Sequence, residues 1–203
     1  MTVTGVVVAG GRSTRFGEGE KALAELGGQS MLRRVTEVLA AVADRVVVNC
    51  RPDQQERFAA SLAGVDTSVR FALDERPDEG PLAGLRTALS VVETDLAVVL
   101  ACDMPLADPD LLRRLIDDAA GVDAAVPRQP GGPEPLHAVY RVEPTRAAAD
   151  AALSAGERSF RGALDRLDVR YVDAPDTRQW RRSLTSVDSA ERLRELAAAF
   201  EDR

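Results

Sequence analysis

The chain is almost without lysine. Lys21 is the only one, and the other 25 basic side chains are arginine. Histidine is as scarce, with His137 alone. With one imidazole and no obvious nucleophile or general base, chemistry that needs an activated nucleophile is disfavoured. Cys50 and Cys102 are the only cysteines. Each ends an apolar run, and there is no CxxC pair or Cys/His cluster. They read as reduced, buried thiols of a cytoplasmic protein, with a disulfide between them left open and no structural zinc indicated. No apolar run approaches the ~20 residues needed to span a bilayer, and the N-terminus lacks the charged-then-apolar layout of a signal peptide. The formal charge is −7 and the pI about 4.9. That balance lacks the basic face of a nucleic-acid binder. Neither membrane nor nucleic acid is an expected partner.

What is present is a regular alternation. The 203 residues, 45% of them apolar, suit one domain or at most two small ones. Val3 to Ala9 is a short valine-rich run, which predicts a strand buried on both faces. Helical spacing follows over Ser30 to Ala43, then strand Arg45 to Cys50, helix Asp53 to Leu62 and strand Val69 to Leu73. Helix Pro81 to Val92 opens at Gly80-Pro81, with proline at a tolerated first-turn position. Leu96 to Ala101 is the most apolar strand, and Asp108-Pro109 starts a helix through Ala119. This order predicts an α/β fold, a single Rossmann-like three-layer domain with a mostly parallel sheet and helices on both faces. Strands at Ala124 to Pro127 and Leu136 to Tyr140 flank the turn Gln129 to Pro133. Helices at Thr145 to Ser154 and Phe160 to Leu167, strand Val169 to Val172 and helix Ser189 to Phe200 complete the reading. Ligands of such sheets bind beyond the carboxyl ends of the strands. That rule selects the loop after Ala9, Asn49 to Arg51, Asp74 onward, and Cys102 onward.

Gly10 and Gly11 follow the first strand directly. Without Cβ atoms the backbone can turn sharply and bring successive N–H groups onto an anion. Arg12, Arg15 and Lys21 add charge in the same segment. No Gly-Lys-Ser/Thr closes the loop and no G-x-G-x-x-G is present, so the glycine pair alone is a turn. Asp103 sits at the end of the most apolar strand, where a Mg²⁺ ligand beside phosphates belongs. That ion needs only one or two carboxylates.

The whole string Ala9-Gly10-Gly11-Arg12-Ser13-Thr14-Arg15-Phe16-Gly17-Glu18-Gly19-Glu20-Lys21 resembles the signature of nucleotidyltransferases built like nucleotide-diphospho-sugar transferases. It is most similar to the molybdenum cofactor guanylyltransferases, the MobA family, with Phe16 for the usual methionine and Glu20 for the usual aspartate. Gly80-Pro81-Leu82-Ala83-Gly84 and Cys102-Asp103-Met104-Pro105 match two further family motifs. Pro135 to Arg141, with His137, resembles a strand that closes the acceptor side. Gly156-Glu157-Arg158 matches a segment associated with the pterin. Near the C-terminus, Ser186 and Asp188 replace two family asparagines, and Ser189 or Asp188 is a candidate helix cap.

The resemblance implies an enzyme that transfers GMP from GTP to a molybdopterin-type cofactor with release of pyrophosphate, using Mg²⁺. It implies a single nucleotidyltransferase domain over 1–203, with a nucleotide-binding half at 1–120 and an acceptor-binding half at 121–203. Arg15, Lys21 and Asp103 are the implied catalytic residues, Asp103 as the metal ligand. Nucleotide contacts fall to Ala9, Gly10, Gly11, Arg12, Ser13, Lys21, Asn49, Asp74, Gly80, Pro81 and Leu82. Acceptor contacts fall to Arg158 and His137. Molybdoenzymes or delivery proteins would receive the product. The alternatives are a CTP-dependent molybdopterin cytidylyltransferase, a guanylyltransferase acting on a corrinoid phosphate, and a non-catalytic nucleotide- or cofactor-binding adaptor. From the residues alone, Asn49 reads more readily as a strand-end polar group and Arg158 as a solvated helix-end charge, Asp74 is equally a solvated loop acid, and a lone histidine is more often structural.

Overall fold

A computed structural model describes residues 2–12, 16, 19–76, 79–173, 175 and 177–201. Strand β1 (Val3–Val8) is followed by a 3₁₀ turn at Lys21–Leu23 and a small hairpin, β2 (Glu25–Leu26) and β3 (Gln29–Ser30). Then come α1 (Met31–Ala40), β4 (Arg45–Cys50), α2 (Gln55–Ser61), β5 (Val69–Leu73), α3 (Pro81–Leu89), β6 (Leu96–Ala101) and α4 (Pro109–Asp118). The second part holds β7 (Ala124–Gln129), β8 (Gly132–Pro133), β9 (His137–Arg141), α5 (Val142–Ser154), α6 (Phe160–Leu164), β10 (Val169–Asp173), α7 (Arg178–Ser183) and α8 (Ala190–Glu201).

The strands form one sheet in the order β10-β7-β9-β6-β1-β4-β5, with β8 paired to β7. β1, β4, β5 and β6 are parallel, and β10 is parallel to β7. β9 runs antiparallel to both β6 and β7. The expected mostly parallel sheet is therefore parallel on one side and broken by a reversed strand on the other.

Alternation along each strand sorts the core into two layers. Val3 and Val7 of β1 face α1, α2 and α4, where Leu32, Val35, Phe58 and Leu112 are buried. Val6 and Val8 face α3, α5 and α6, where Leu82, Leu85, Ala149 and Phe160 are buried. All six residues of β1 and of β6 are buried, as β-branched and aliphatic runs covered on both faces should be. The helix ends follow local chemistry. Ser30 caps α1 by accepting from the Arg33 N–H at 3.1 Å, and Asp108 caps α4 through the Asp110 N–H at 2.8 Å. Gly80, at φ 91°, turns the chain into Pro81 and α3, a conformation that costs glycine nothing. The predicted helices were too long at their ends: α1 stops at Ala40, not Ala43, and α3 at Leu89, not Val92.

Candidate active site

The chain lays β1, β4 and β5 in one direction, then returns to place β6 on the other side of β1. The loops leaving β1 and β6 must part at that point, and the crevice between them is where open α/β sheets hold ligands. A cavity of 360 Å³ lies there, walled by the loop after β1, by Asn49, by Asp74, by the start of α3 and by Cys102-Asp103.

Lys21 and Asp103, 82 positions apart, meet in this cavity with Nζ 2.5 Å from Oδ2. Their side chains are 21% and 16% exposed. Asp103 is fixed because the β1–β6 ladder continues one step beyond the strands, the Cys102 N–H donating to the Val8 carbonyl at 3.2 Å. Met104 N–H then closes a turn onto Ala101. Burial alone would lower the Lys21 pKa, but Asp103, the neighbouring Cys102 and Asp188 outweigh it and raise it. The ammonium stays charged. The divergent C-terminal stretch also reaches this place: the Val187 N–H donates to the Asp103 carbonyl at 2.8 Å, and Ser189 caps α8 by accepting from the Arg192 N–H at 3.1 Å.

The second cluster is on the α3 side. Asn49 Nδ2 donates to Asp74 Oδ1 at 2.7 Å and to the Ala72 carbonyl at 3.3 Å. Asn49 Oδ1 is buried and has no hydrogen-bond partner among the described residues. Burial raises the Asp74 pKa, partly countered by hydrogen bonds from Asn49 and Thr87 and by the charge of Arg51. Two glycines make room for this pair. A Cβ on Gly84 would stand 2.5 Å from Asn49 Oδ1, and one on Gly10 would collide with the Asp74 carboxylate. Gly84 is thus explained by close approach to a polar side chain, which a plain helix start does not require.

The glycine loop is held from behind by Arg51, which the strand-end rule selected as part of Asn49 to Arg51 without giving it a role. Arg51 donates to the carbonyls of Gly10 and Gly11 at 3.1 and 2.9 Å, and to Glu20 at 2.8 Å. Gln54 donates to the other Glu20 oxygen at 2.7 Å. The end of β4 marks the position of Arg51 but not its partners; the register of β1 on β4 brings these together.

Of the expected site residues, Ala9, Gly10, Gly11, Arg12, Lys21, Asn49, Asp74, Gly80, Pro81 and Asp103 all wall the cavity. Ser13 and Arg15 lie outside the described residues. Leu82 is not in the wall: its side chain is fully buried in the core under α3. Arg158 lines an adjoining groove of 730 Å³ together with Arg76, Arg86 and Arg146. His137 is not brought to the cavity. It is fully buried, with no partner for either ring nitrogen among the described residues, and burial depresses its pKa to about 3. A ring enclosed on all sides cannot meet an acceptor molecule. Its neighbour Leu136 reaches the cavity wall instead.

Among the described residues there is no group of three or more His, Cys, Asp or Glu side chains able to enclose a metal. The one carboxylate at Asp103, open to the cavity, still fits Mg²⁺, which keeps waters and takes its other ligands from phosphates. It does not fit a tightly caged metal.

Fixed charges of both signs and a loop of bare peptides, gathered at a sheet switch point, are what the transfer of a nucleotidyl group requires. The class this fold and site define is nucleotidyltransferase. A family model described as "MobA-like NTP transferase domain" matches residues 5–170. The chain is 50% identical over 192 residues to a probable molybdenum cofactor guanylyltransferase of Natronomonas pharaonis, covering 94% of each. It is 35% identical over 195 residues to a molybdenum cofactor guanylyltransferase of Pseudomonas putida, covering 94% of this chain and 95% of that one. The crystal structure of molybdopterin-guanine dinucleotide biosynthesis protein A from Archaeoglobus fulgidus superposes with a TM-score of 0.79 at 26% identity over the whole of both chains. The chain belongs to the MobA-like NTP transferase family.

Proposed function

We propose that the protein transfers GMP from GTP to a molybdopterin-type cofactor, releasing pyrophosphate. The observation that carries this reading is the meeting of Lys21 and Asp103 beside Gly10 and Gly11 in one cavity. The Gly10–Arg12 backbone offers N–H groups to phosphate oxygens, and Lys21 neutralises charge that builds on the departing pyrophosphate. Arg15 is assigned the same task as Lys21. Asp103 would hold Mg²⁺, which supplies further positive charge to the phosphates. No side chain need take a proton from the acceptor, because a phosphate acceptor is already anionic near neutral pH. Catalysis then rests on positioning and charge, which fits a site without histidine.

Base choice is assigned to Asn49 and Asp74. Both side chains line the cavity and both carry acceptor oxygens, Asn49 Oδ1 being without a partner among the described residues. Guanine carries two adjacent N–H donors on its pairing edge, whereas cytosine carries one amino group flanked by acceptors. An acceptor-rich floor therefore favours GTP over CTP. Residues 1–120 form the nucleotide half and 121–203 the acceptor half, with Arg158 in the adjoining groove facing the acceptor. We place the reaction in the cytoplasm, with product passing to molybdoenzymes or delivery proteins. Binding isotherms for GTP and CTP with Mg²⁺, followed by pyrophosphate release in the presence of the pterin, test the reading. GTP should bind more tightly and release should require the pterin. Tighter CTP binding would reassign the base, and no release with either nucleotide would leave the adaptor reading in its place.

A further inference from the structure

Arg51 is 7% exposed and takes no part in the cavity wall. Its guanidinium nevertheless spreads over five acceptors: Gly10 O, Gly11 O, Glu20 Oε1, and both Asp53 carboxylate oxygens at 3.1 and 3.2 Å. Burial would lower its pKa, but the hydrogen bonds it donates to Asp53 and Glu20 more than offset this and keep it cationic. In a trans peptide the C=O and the following N–H point in opposite directions. Holding the Gly10 and Gly11 carbonyls toward Arg51 therefore turns the N–H groups of Gly11 and Arg12 away from it. Gly10, Gly11 and Arg12 wall the cavity, and Arg51, which holds the carbonyls of the first two, does not.

We infer that Arg51 is a positioning residue that locks these two peptides with their N–H groups toward the cavity as an anion cradle. Through Glu20 the same guanidinium anchors the residue preceding Lys21, so loop and ammonium are set by one clamp. The task suits arginine. A planar fork can serve two carbonyls and a carboxylate at once, whereas an ammonium is a single point of charge. A cation behind the peptides also polarises them, strengthening the N–H donors on the far side. The inference rests on the proposed phosphate site but not on which base or acceptor is used.

The test is calorimetric titration of the full chain with three probes in the presence of Mg²⁺: pyrophosphate, GTP and guanosine. Arg51→Met should weaken pyrophosphate and GTP by about tenfold or more, the scale of a lost charge-assisted hydrogen bond, while guanosine stays within about twofold. Arg51→Lys should fall between Met and wild type. Equal weakening of all three probes would mean a merely structural arginine and would overturn the inference, as would no weakening. If Arg51→Met does not fold, Glu20→Gln removes the anchor of the clamp while keeping its size. It should show the same phosphate-selective loss at about threefold, and no selective loss there overturns the inference as well. Should wild type prefer CTP, the guanine assignment fails, yet the pyrophosphate series still decides the role of Arg51.

Discussion

The parallel and antiparallel sides of the sheet place two fully buried polar side chains, Asn49 and His137, in different company. On the parallel side polar groups gather at the strand ends, Asn49 with Asp74, Lys21 with Asp103 and Arg51 with five acceptors, while Asn49 Oδ1 lacks a partner among the described residues. On the antiparallel side His137 is as deeply enclosed, and neither ring nitrogen is satisfied among the described residues. Strand direction makes the difference. A parallel strand brings its carboxyl end to the crevice, where loops from several strands converge and polar groups find one another. β9 runs the other way and brings its beginning there, opposite Leu100 of β6. Leu136 thereby meets the cavity, and the alternation of side chains sends His137 with Val139 into the layer under α4. Polar residues near a sheet end find one another where loops converge, as Asn49 and Asp74 do.

The largest way to break this comparison is to remove the charge pair. Lys21→Ala or Asp103→Ala should lower turnover by roughly 10²–10³, as loss of one electrostatic group at a transition state does, with the far-ultraviolet circular dichroism spectrum unchanged. Pyrophosphate release by either purified variant at near wild-type rate would remove both residues from the catalytic assignment. The next effect concerns the glycines. Gly84→Ala places a carbon 2.5 Å from Asn49 Oδ1, and the amide cannot swing aside without breaking its bond to Asp74. Nucleotide affinity should drop about tenfold. Gly131→Ala, on the β7–β8 turn with open space around it, should change nothing in the same titration.

A third prediction sharpens the other side. Burial depresses the His137 pKa in the folded chain to about 3, from the ordinary imidazole value of 6.5. The neutral buried ring therefore contributes stability fully above about pH 6.5, and that contribution is lost as pH falls towards 3, because only the unfolded chain takes up the proton. His137→Leu should remove this dependence. In urea titrations the wild type should lose stability relative to the variant by up to about 1.4 kcal/mol per pH unit across that window, with nucleotide affinity unchanged. Parallel pH profiles for the two proteins would show that the ring is not held neutral. The smallest effect belongs to the Arg86–Asp150 pair between α3 and α5, at 3.1 Å with side chains 41% and 58% exposed. Arg86→Ala should cost no more than about 0.5 kcal/mol in the same titrations.

Much of this was legible in the sequence where the signal is local. Valine runs gave β1 and β4, Gly80-Pro81 gave the start of α3, and the rule for strand ends put Asn49, Asp74 and Asp103 near one another. The isolated Lys21 lies in the cavity wall beside Asp103. What was missed depends on register or on segments too short to show a period. Arg51 acts on residues 40 and 41 positions away, and nothing around it in sequence signals that. The two-residue strands β2 and β3 and the six-residue, arginine-rich α7 carry no readable periodicity. Leu136 to Tyr140 reads as a strand, but alternation is the same in both directions, so the reversal of β9 and the inward turn of His137 were invisible.

Gly10 and Gly84 have one more consequence. The room around the amide and carboxylate of Asn49 and Asp74 is carved by two missing carbons, not framed by side chains. Nothing larger than hydrogen fits at either position without displacing the pair. On the proposed reading of the base, a change of nucleotide preference is written at positions 49 and 74 rather than at these two glycines, which makes the hollow a mould with two fixed walls and an adjustable floor.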